Sequence, residues 1–436
     1  MTNIFNPFGK DFKDVNKEDL ERLKTVAEGW TVEYKQQKLN GKSIAKSIAS
    51  FANSHGGLYF IGIVAEKSTN YALEFVGIED SPDIIHDAIR DNLQPFPFFE
   101  TFQIILDNKK KVIMAVIPRG ENTPYINSDG KIYRRQESSS DPIAESNRFV
   151  IDQLYEQSKK YLGEIEDFRN SEFCFCKGEE EVPYLEIYAN TAPFGHFFID
   201  DFSKEINVGE ILTQFNQEAI IKEKKKENGE IIVSLKVNMK FDSAQTYFNS
   251  IAIRNLANND VAYNGLTVEI DVSGNLRVLL PLQTKMGSET FIEKAYGKKV
   301  DELNLQSIES INFLNTQFIF GSICGIIHNY VSYLLKKGYK EKVEFKMRLK
   351  NCWRSSLYID SKAFLEYVNK FGIPICMKSE QYFPRYPSVL TVQEIMEKPI
   401  VPLVVLFSFV ANSLGIPTDL AFKAVLEELQ GKNEKE

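Results

Sequence analysis

The sequence predicts an α+β protein built from more than one domain. Two observations lead there. The chain has 436 residues, 43% of them hydrophobic, which exceeds what one compact core of usual size holds. Its periodicity also changes along its length: helix and strand signals are mixed as far as about residue 144, strands dominate later, and helices dominate at the end. The expected division is a mixed α/β domain over 14–144, a helical linker over 145–170, a β-rich region over 171–288 and a mainly helical C-terminal region over 289–430.

Residues 14–29 read as a helix, with Leu20, Leu23 and Val26 at three-residue intervals and Gly29 as its stop, which puts Glu28 at its end. Residues 31–37 alternate like a strand. The next helix, 43–54, places Ile44, Ile48, Phe51 and Ala52 on one face and Lys42, Ser43, Lys46, Ser47 and Ser50 on the other. Gly56 and Gly57 make a tight reversal into a buried strand, 58–64, whose end carries Val64 to Glu66 towards Glu28 and Glu33. Residues 81–94 form a helix with Ser81 as cap and Pro82 in the first turn. TFQIIL and KVIMAVI pair around Asp107 to Lys110, and PYINSDGKIYRRQ turns at Ser128, Asp129 and Gly130. A helix over 145–162 follows. The strands YLEIYA, EIIVSLKVNMKF, IAIRNLA, LTVEIDV and LRVLLPL come next, the last two paired around Ser273 to Asn275. Residues 306–338 read as one long helix ending in Lys336, Lys337 and Gly338.

Composition narrows the function classes. The net charge of -8 is that of no basic nucleic-acid glove, so phosphate binding would need a local basic surface. Cys174, Cys176, Cys324, Cys352 and Cys376 are odd in number and lack zinc-site spacing, as free thiols of a reducing cytosol would be. The polar, acidic start is unlike a secretory signal. The apolar runs FIFGSICGIIHNYV and PIVPLVVLFSFV are short for bilayer spans and read as buried helices. The expected location is the cytoplasm, with no membrane partner. Lys222, Lys224, Lys225 and Lys226 read as a solvated loop, and the tail GKNEKE as disordered.

The motif GKS at Gly41 to Ser43 lacks the first glycine of a phosphate loop, because Gln36 stands there. Asn40 instead caps a helix, and ATP is not expected as a ligand. His55, His86, His196 and His328 are scattered, so neither a zinc-protease motif nor a serine-hydrolase elbow forms. The carboxylates are more informative. Glu33, inside a strand between Val32 and Tyr34, is costly to bury unpaired. Lys35 shares its strand face and is the near partner. Two readings stay open: a Glu33–Lys35 pair on a solvated face, or a cage for Mg²⁺ or Mn²⁺ built from converging carboxylates.

EGWTVEYK, SIASFANSHGG, LYFIGI and KVIMAVIPRGENTPYINSDGKIYRRQESSS together resemble the Schlafen AlbA-type domain, over roughly residues 28–142. The resemblance implies an α+β domain linked to nucleic-acid binding. Some members of that family are metal-dependent endoribonucleases that cut structured RNA, notably transfer RNA. Bacterial relatives are commonly labelled DNA-binding, ATP-binding or transcriptional regulators, and several sit in phage-defence settings. In the nuclease members two glutamates, at the positions of Glu28 and Glu33, join an aspartate just after the strand. Ala65 occupies that position here, with Glu66 beside it.

The expectation is therefore a nucleic-acid-binding protein, with RNA (transfer-RNA-like) or DNA as partner and a homodimer or larger homo-oligomer as its assembly. Glu28, Glu33 and Glu66 are its candidate catalytic and metal residues. Lys35, Lys42, Lys46, Arg119, Arg134 and Arg135 are its candidate phosphate-binding residues. Arg134 and Arg135 point to opposite strand faces, so at most one serves a given groove. Tyr34, Tyr125 and Tyr133 are the aromatics expected to stack on bases. The alternative is a non-catalytic DNA-binding regulator or nucleotide sensor.

Overall fold

The computed structural model describes residues 4–136, 141–173, 182–200, 202–224, 231–255, 265–282, 311–359, 361–382 and 390–423. The chain forms two compact units, Met1–Ser171 and Glu172–Glu436. Cys174, Cys176, Lys225, Lys226, residues 306–310 and the tail lie outside the described residues.

The first unit is organised on the strands β1 (Val32–Lys35), β2 (Gly57–Ile61), β6 (Glu100–Ile105) and β7 (Lys111–Ile117), in the order β1-β2-β7-β6. The β1–β2 pair is parallel and the others antiparallel. Every residue of β2 is buried, because both sheet faces are covered and period-two alternation sends its side chains into two separate cores. Tyr59 and Ile61 face α1 (Gly41–Ala52) and α2 (Asp83–Asn92), where they meet Ile44, Ile48, Phe51, Ile85 and Ile89. Leu58 and Phe60 face Leu20, Leu23, Val32 and Tyr34. Asn40 caps α1 as expected, its side chain accepting from the Ser43 amide at 2.9 Å. Pro82, not Ser81, takes the cap position of α2; Ser81 stands just before it, and its hydroxyl accepts from the Asp83 amide at 3.3 Å.

Three local expectations in this unit are corrected. The first helix is a pair of 3-10 turns, Phe12–Asp14 and Asp19–Thr25. The three-residue spacing of Leu20 and Leu23 matches the 3-10 repeat better than the α repeat. Glu28 therefore stands beyond the helix, beside the bridge Ala27–Tyr71. The strand after the glycine pair is also broken. Gly62, at φ +100°, ends β2, and β3 (Ile63–Ala65) leaves the sheet to pair with β4 (Ala72–Phe75). A Cβ on Gly62 would lie 2.8 Å from the Gly77 Cα, so the crossing needs glycine. The turn at Gly130 forms, but its flanks join only by the bridge Ile126–Ile132. Instead β8 (Ile126–Asn127) pairs with β5 (Leu93–Gln94), and β9 (Tyr133–Arg134) with β10 (Ile143–Ala144). The unit closes with α3 (Arg148–Asn170), capped by Asn147.

In the second unit the β-rich and helical stretches share one core rather than forming separate regions. Its sheet runs β14 (Ser243–Thr246), β15 (Ser250–Arg254), β16 (Thr267–Asp271), β17 (Leu276–Pro281), β11 (Tyr184–Ala192), β19 (Lys342–Lys350) and β21 (Gln381–Tyr382), with β22 (Leu390–Thr391) also on β19. The β16–β17 turn at Ser273 to Asn275 is as expected. The strand β19 was hidden by its charged residues. Its alternate residues Val343, Phe345, Met347 and Leu349 are buried, as is Arg348 between the last two, which pairs with Glu186. Beside this sheet are α4 (Glu205–Phe215), the hairpin β12 (Ala219–Lys224)–β13 (Ile231–Val237), and the parallel pair β18 (Asn312–Asn315)–β20 (Ser355–Tyr358). The helix α5 (Thr316–Lys336) starts only after β18, with Asn315 accepting from the Phe318 amide at 3.1 Å. It is long and apolar enough to cross a membrane by length and composition, yet 72% of its apolar window is buried in this core. The helices α6 (Lys362–Phe371), α7 (Val392–Glu397) and α8 (Ile400–Ser413) complete the unit.

Candidate nucleic-acid interface and carboxylate cluster

Glu33 and Lys35 do pair, at 2.7 Å, but not on a solvated face: Glu33 is only 4% exposed. It points from β1 into the layer under α1. There the Ser47 hydroxyl donates to Oε1 at 3.0 Å and the Arg135 guanidinium donates to Oε2. Arg135 also donates from Nη1 to the Gly29 carbonyl at 2.6 Å and from Nε to the Ser50 hydroxyl at 3.2 Å. Its guanidinium carbon lies 4.0 Å from the centre of the Phe51 ring. Glu28 joins at the rim, where its Oε1 accepts from the Tyr34 amide at 3.0 Å and lies 3.4 Å from Lys35 Nζ.

The electrostatics follow from this packing. Burial works to lower the Lys35 pKa, but Glu33 and Glu28 outweigh it and the net shift is upward. Burial lowers that of Arg135, opposed by Glu33 and Glu28. Tyr59 lies beside Glu33 in the β1–β2 register, and its buried hydroxyl has no hydrogen-bond partner among the described residues. Burial and then the Glu33 charge push its pKa up, so the phenol stays protonated.

A divalent cation here would need oxygen anions free to converge on it. Both Glu33 oxygens already accept from Ser47, Lys35 and Arg135, and Glu28 is shared between an amide and Lys35. Glu66 is engaged within its own loop, where Thr69 Oγ1 donates to it at 2.5 Å. What does reach Glu28 from that loop is backbone, the Asn70 carbonyl accepting from the Glu28 amide at 2.7 Å. Among the described residues no group of three or more His, Cys, Asp or Glu is placed to hold a metal ion. The donor set of Glu28, Glu33 and Glu66 does not fit the metal that the resemblance implies.

The expected basic residues separate into two groups. Arg135 is buried and Lys35 half-buried, both inside the cluster, so neither is a surface phosphate contact. Arg134 is bonded to the Asn53 carbonyl at 3.2 Å and to Glu145 at 3.1 Å. Lys42 and Arg119 are exposed, and Lys46 lies 4.9 Å from the centre of the Tyr133 ring. Lys42, Lys46 and Arg119 form no ion pair among the described residues. Arg119 donates to Gln157 of α3 at 2.8 Å. It borders a groove of about 790 Å³ between α3 and the 53–55 turn, into which His55, Arg134, Phe149 and Lys160 also face. The aromatics expected to stack on bases, Tyr34, Tyr125 and Tyr133, are buried. Phe149 is exposed instead, as is His55, edge-on to Trp30 at 5.0 Å.

Sequence reasoning missed Ser47, Ser50 and Tyr59 as parts of the cluster. The helical spacing of Ser47 and Ser50 puts them with the lysines on the polar face. The signal lay in Glu33 itself: a buried strand carboxylate needs donors from whatever packs over it.

A mixed sheet under two helices defines the class: a small α+β domain. Residues 28–144 match the family model described as "Schlafen, AlbA_2", so this stretch is a Schlafen AlbA-type domain, and the family points to nucleic acid as partner. No curated protein matches the chain. Among solved structures, one similar chain is the DIP2311 protein from Corynebacterium diphtheriae, at 9% identity and a TM-score of 0.21, over 48% of this chain and 45% of that one. The chain thus spans less than half the length of that protein, a likeness too slight to bear on fold or function.

Proposed function

We propose that the N-terminal unit binds nucleic acid through the sugar–phosphate backbone, using Lys42, Lys46 and Arg119, and does not cut it by a three-carboxylate metal route. One observation carries this reading. Glu28 and Glu33 are neutralised internally by Lys35 and Arg135, while Lys42, Lys46 and Arg119 form no ion pair among the described residues. The carboxylate cluster then acts as scaffold, fixing β1 beneath α1, and α1 carries the lysines. Contacts of this type position a backbone and carry little sequence information.

Binding of labelled RNA and DNA strands of mixed sequence, followed by anisotropy against salt, tests the reading. Three phosphate contacts give a log–log slope of about -2 for single strands. Lys42→Ala with Lys46→Ala removes most of that slope. A flat salt dependence overturns the reading. So does cleavage of total transfer RNA with Mn²⁺ that is lost in folded Glu33→Gln, an outcome that would install the metal-dependent endoribonuclease in its place.

A further inference from the structure

The geometry points to a reversible dithiol–disulfide site in the C-terminal unit, formed by Cys352 and Cys376 and oxidised by hydroperoxides. The two sulfurs stand 3.7 Å apart although 24 residues separate them in the chain. Their backbones are pinned on both sides. The Arg354 amide donates to the Cys376 carbonyl at 2.9 Å, Cys376 to Ser355 at 2.8 Å, and Cys352 to Ser379 at 3.0 Å. Closing the gap to a bond of about 2.05 Å is therefore a task for side-chain rotation. Both cysteines are nearly inaccessible, at 0% and 3% exposure, but each is followed in the chain by an exposed residue, Trp353 and Met377. Such low exposure favours a small oxidant, and a hydroperoxide is one.

The pair is also chemically asymmetric. The hydrogen bond with Cys352 lowers the Cys376 pKa against the effect of burial, and its counterpart with Cys376 raises that of Cys352. Cys376, 3% exposed against 0% for Cys352, is the sulfur an oxidant reaches first and is assigned as the nucleophile, with Cys352 as the resolving thiol. The Cys376 thiolate attacks one peroxide oxygen. The O–O bond breaks, hydroxide leaves and takes a proton to become water, and a sulfenic acid remains. The Cys352 sulfur attacks the Cys376 sulfur, the S–O bond breaks, and a second water leaves with the Cys352 proton. Two thiols lose two electrons, and one peroxide gains them. The disulfide ties the end of β19 to the segment after α6. Cys324 is an internal control, since it is buried in α5 and burial alone pushes its thiol pKa up.

The test uses the full chain, reduced, exposed to hydrogen peroxide, denatured, alkylated and digested with trypsin. The expected product is NCWR joined to FGIPICMK, with loss of alkylation at both cysteines and its return after dithiothreitol. Cys324 should be oxidised at least about tenfold more slowly. In Cys352→Ser, Cys376 should instead be trapped as a sulfenic acid by dimedone. The proposal fails if both cysteines stay fully alkylatable. It fails equally if Cys324 is oxidised at the same rate, or if Cys376 over-oxidises in the wild type without joining Cys352.

Discussion

Replacing Arg135 by methionine tests the internal role of the carboxylate cluster. The change removes the guanidinium from Glu33, from the Gly29 carbonyl and from the Phe51 ring, while keeping apolar bulk. Glu33 stays buried with Lys35 and Ser47 as its remaining partners. Breaking a buried pair by removing one member costs about 3–5 kcal/mol. Because Lys35 still offsets part of the charge, the lower end, about 3 kcal/mol, is expected. The chain has two tryptophans, and Trp30 and Trp353 fall one in each unit. Trp353→Phe thus leaves Trp30 as the sole fluorescent tryptophan, reporting the N-terminal unit in urea. Adding Glu33→Gln to Arg135→Met should recover part of the loss, since no uncompensated carboxylate remains. A cost under about 1 kcal/mol, the range of a solvated pair, would refute the reasoning. So would strict additivity in the double variant.

Two further outcomes follow from single residues. Burial raises the Asp271 pKa to about 6, against hydrogen bonds from the Asn275 side chain and the amides of Asn275 and Ser273. The folded pKa thus exceeds the unfolded one, so this contribution to stability is complete below pH 4 and is lost as pH rises through 6. Relative to wild type, Asp271→Asn should gain about 3 kcal/mol between pH 4 and pH 7, read from Trp353 in a Trp30→Phe background, and a pH-independent difference would contradict this. At Gly57 an added Cβ would sit 2.4 Å from the Phe51 ring and 2.6 Å from the Thr31 carbonyl. Gly57→Ala should therefore cost the N-terminal unit about 3 kcal/mol, and an unchanged urea midpoint would disprove the close approach.

Much of the frame was legible beforehand because it rests on local pattern. The cap at Asn40, the β6–β7 and β16–β17 turns, and the buried character of the α5 and α8 segments depend on residues adjacent in sequence. Errors arose where one period imitates another or where a glycine redirects the chain. The spacing of Leu20 and Leu23 also suits an α-helix, although it serves 3-10 turns here. Gly62 read as one more residue of a strand that in fact ends beside it. The strand β19 was missed because its exposed positions carry Lys and Glu, which mask a buried alternate row.

By itself the sequence determined the α+β class, the family of residues 28–144 and the sharing of a strand face by Glu33 and Lys35, since all of these follow from types and spacings along the chain. Only the tertiary structure decided what Glu33 is for. Arg135 reaches it across 102 positions of sequence, and Ser47 reaches it from the helix above. A buried carboxylate takes its meaning from the donors that surround it, and those come from elements brought together only by folding.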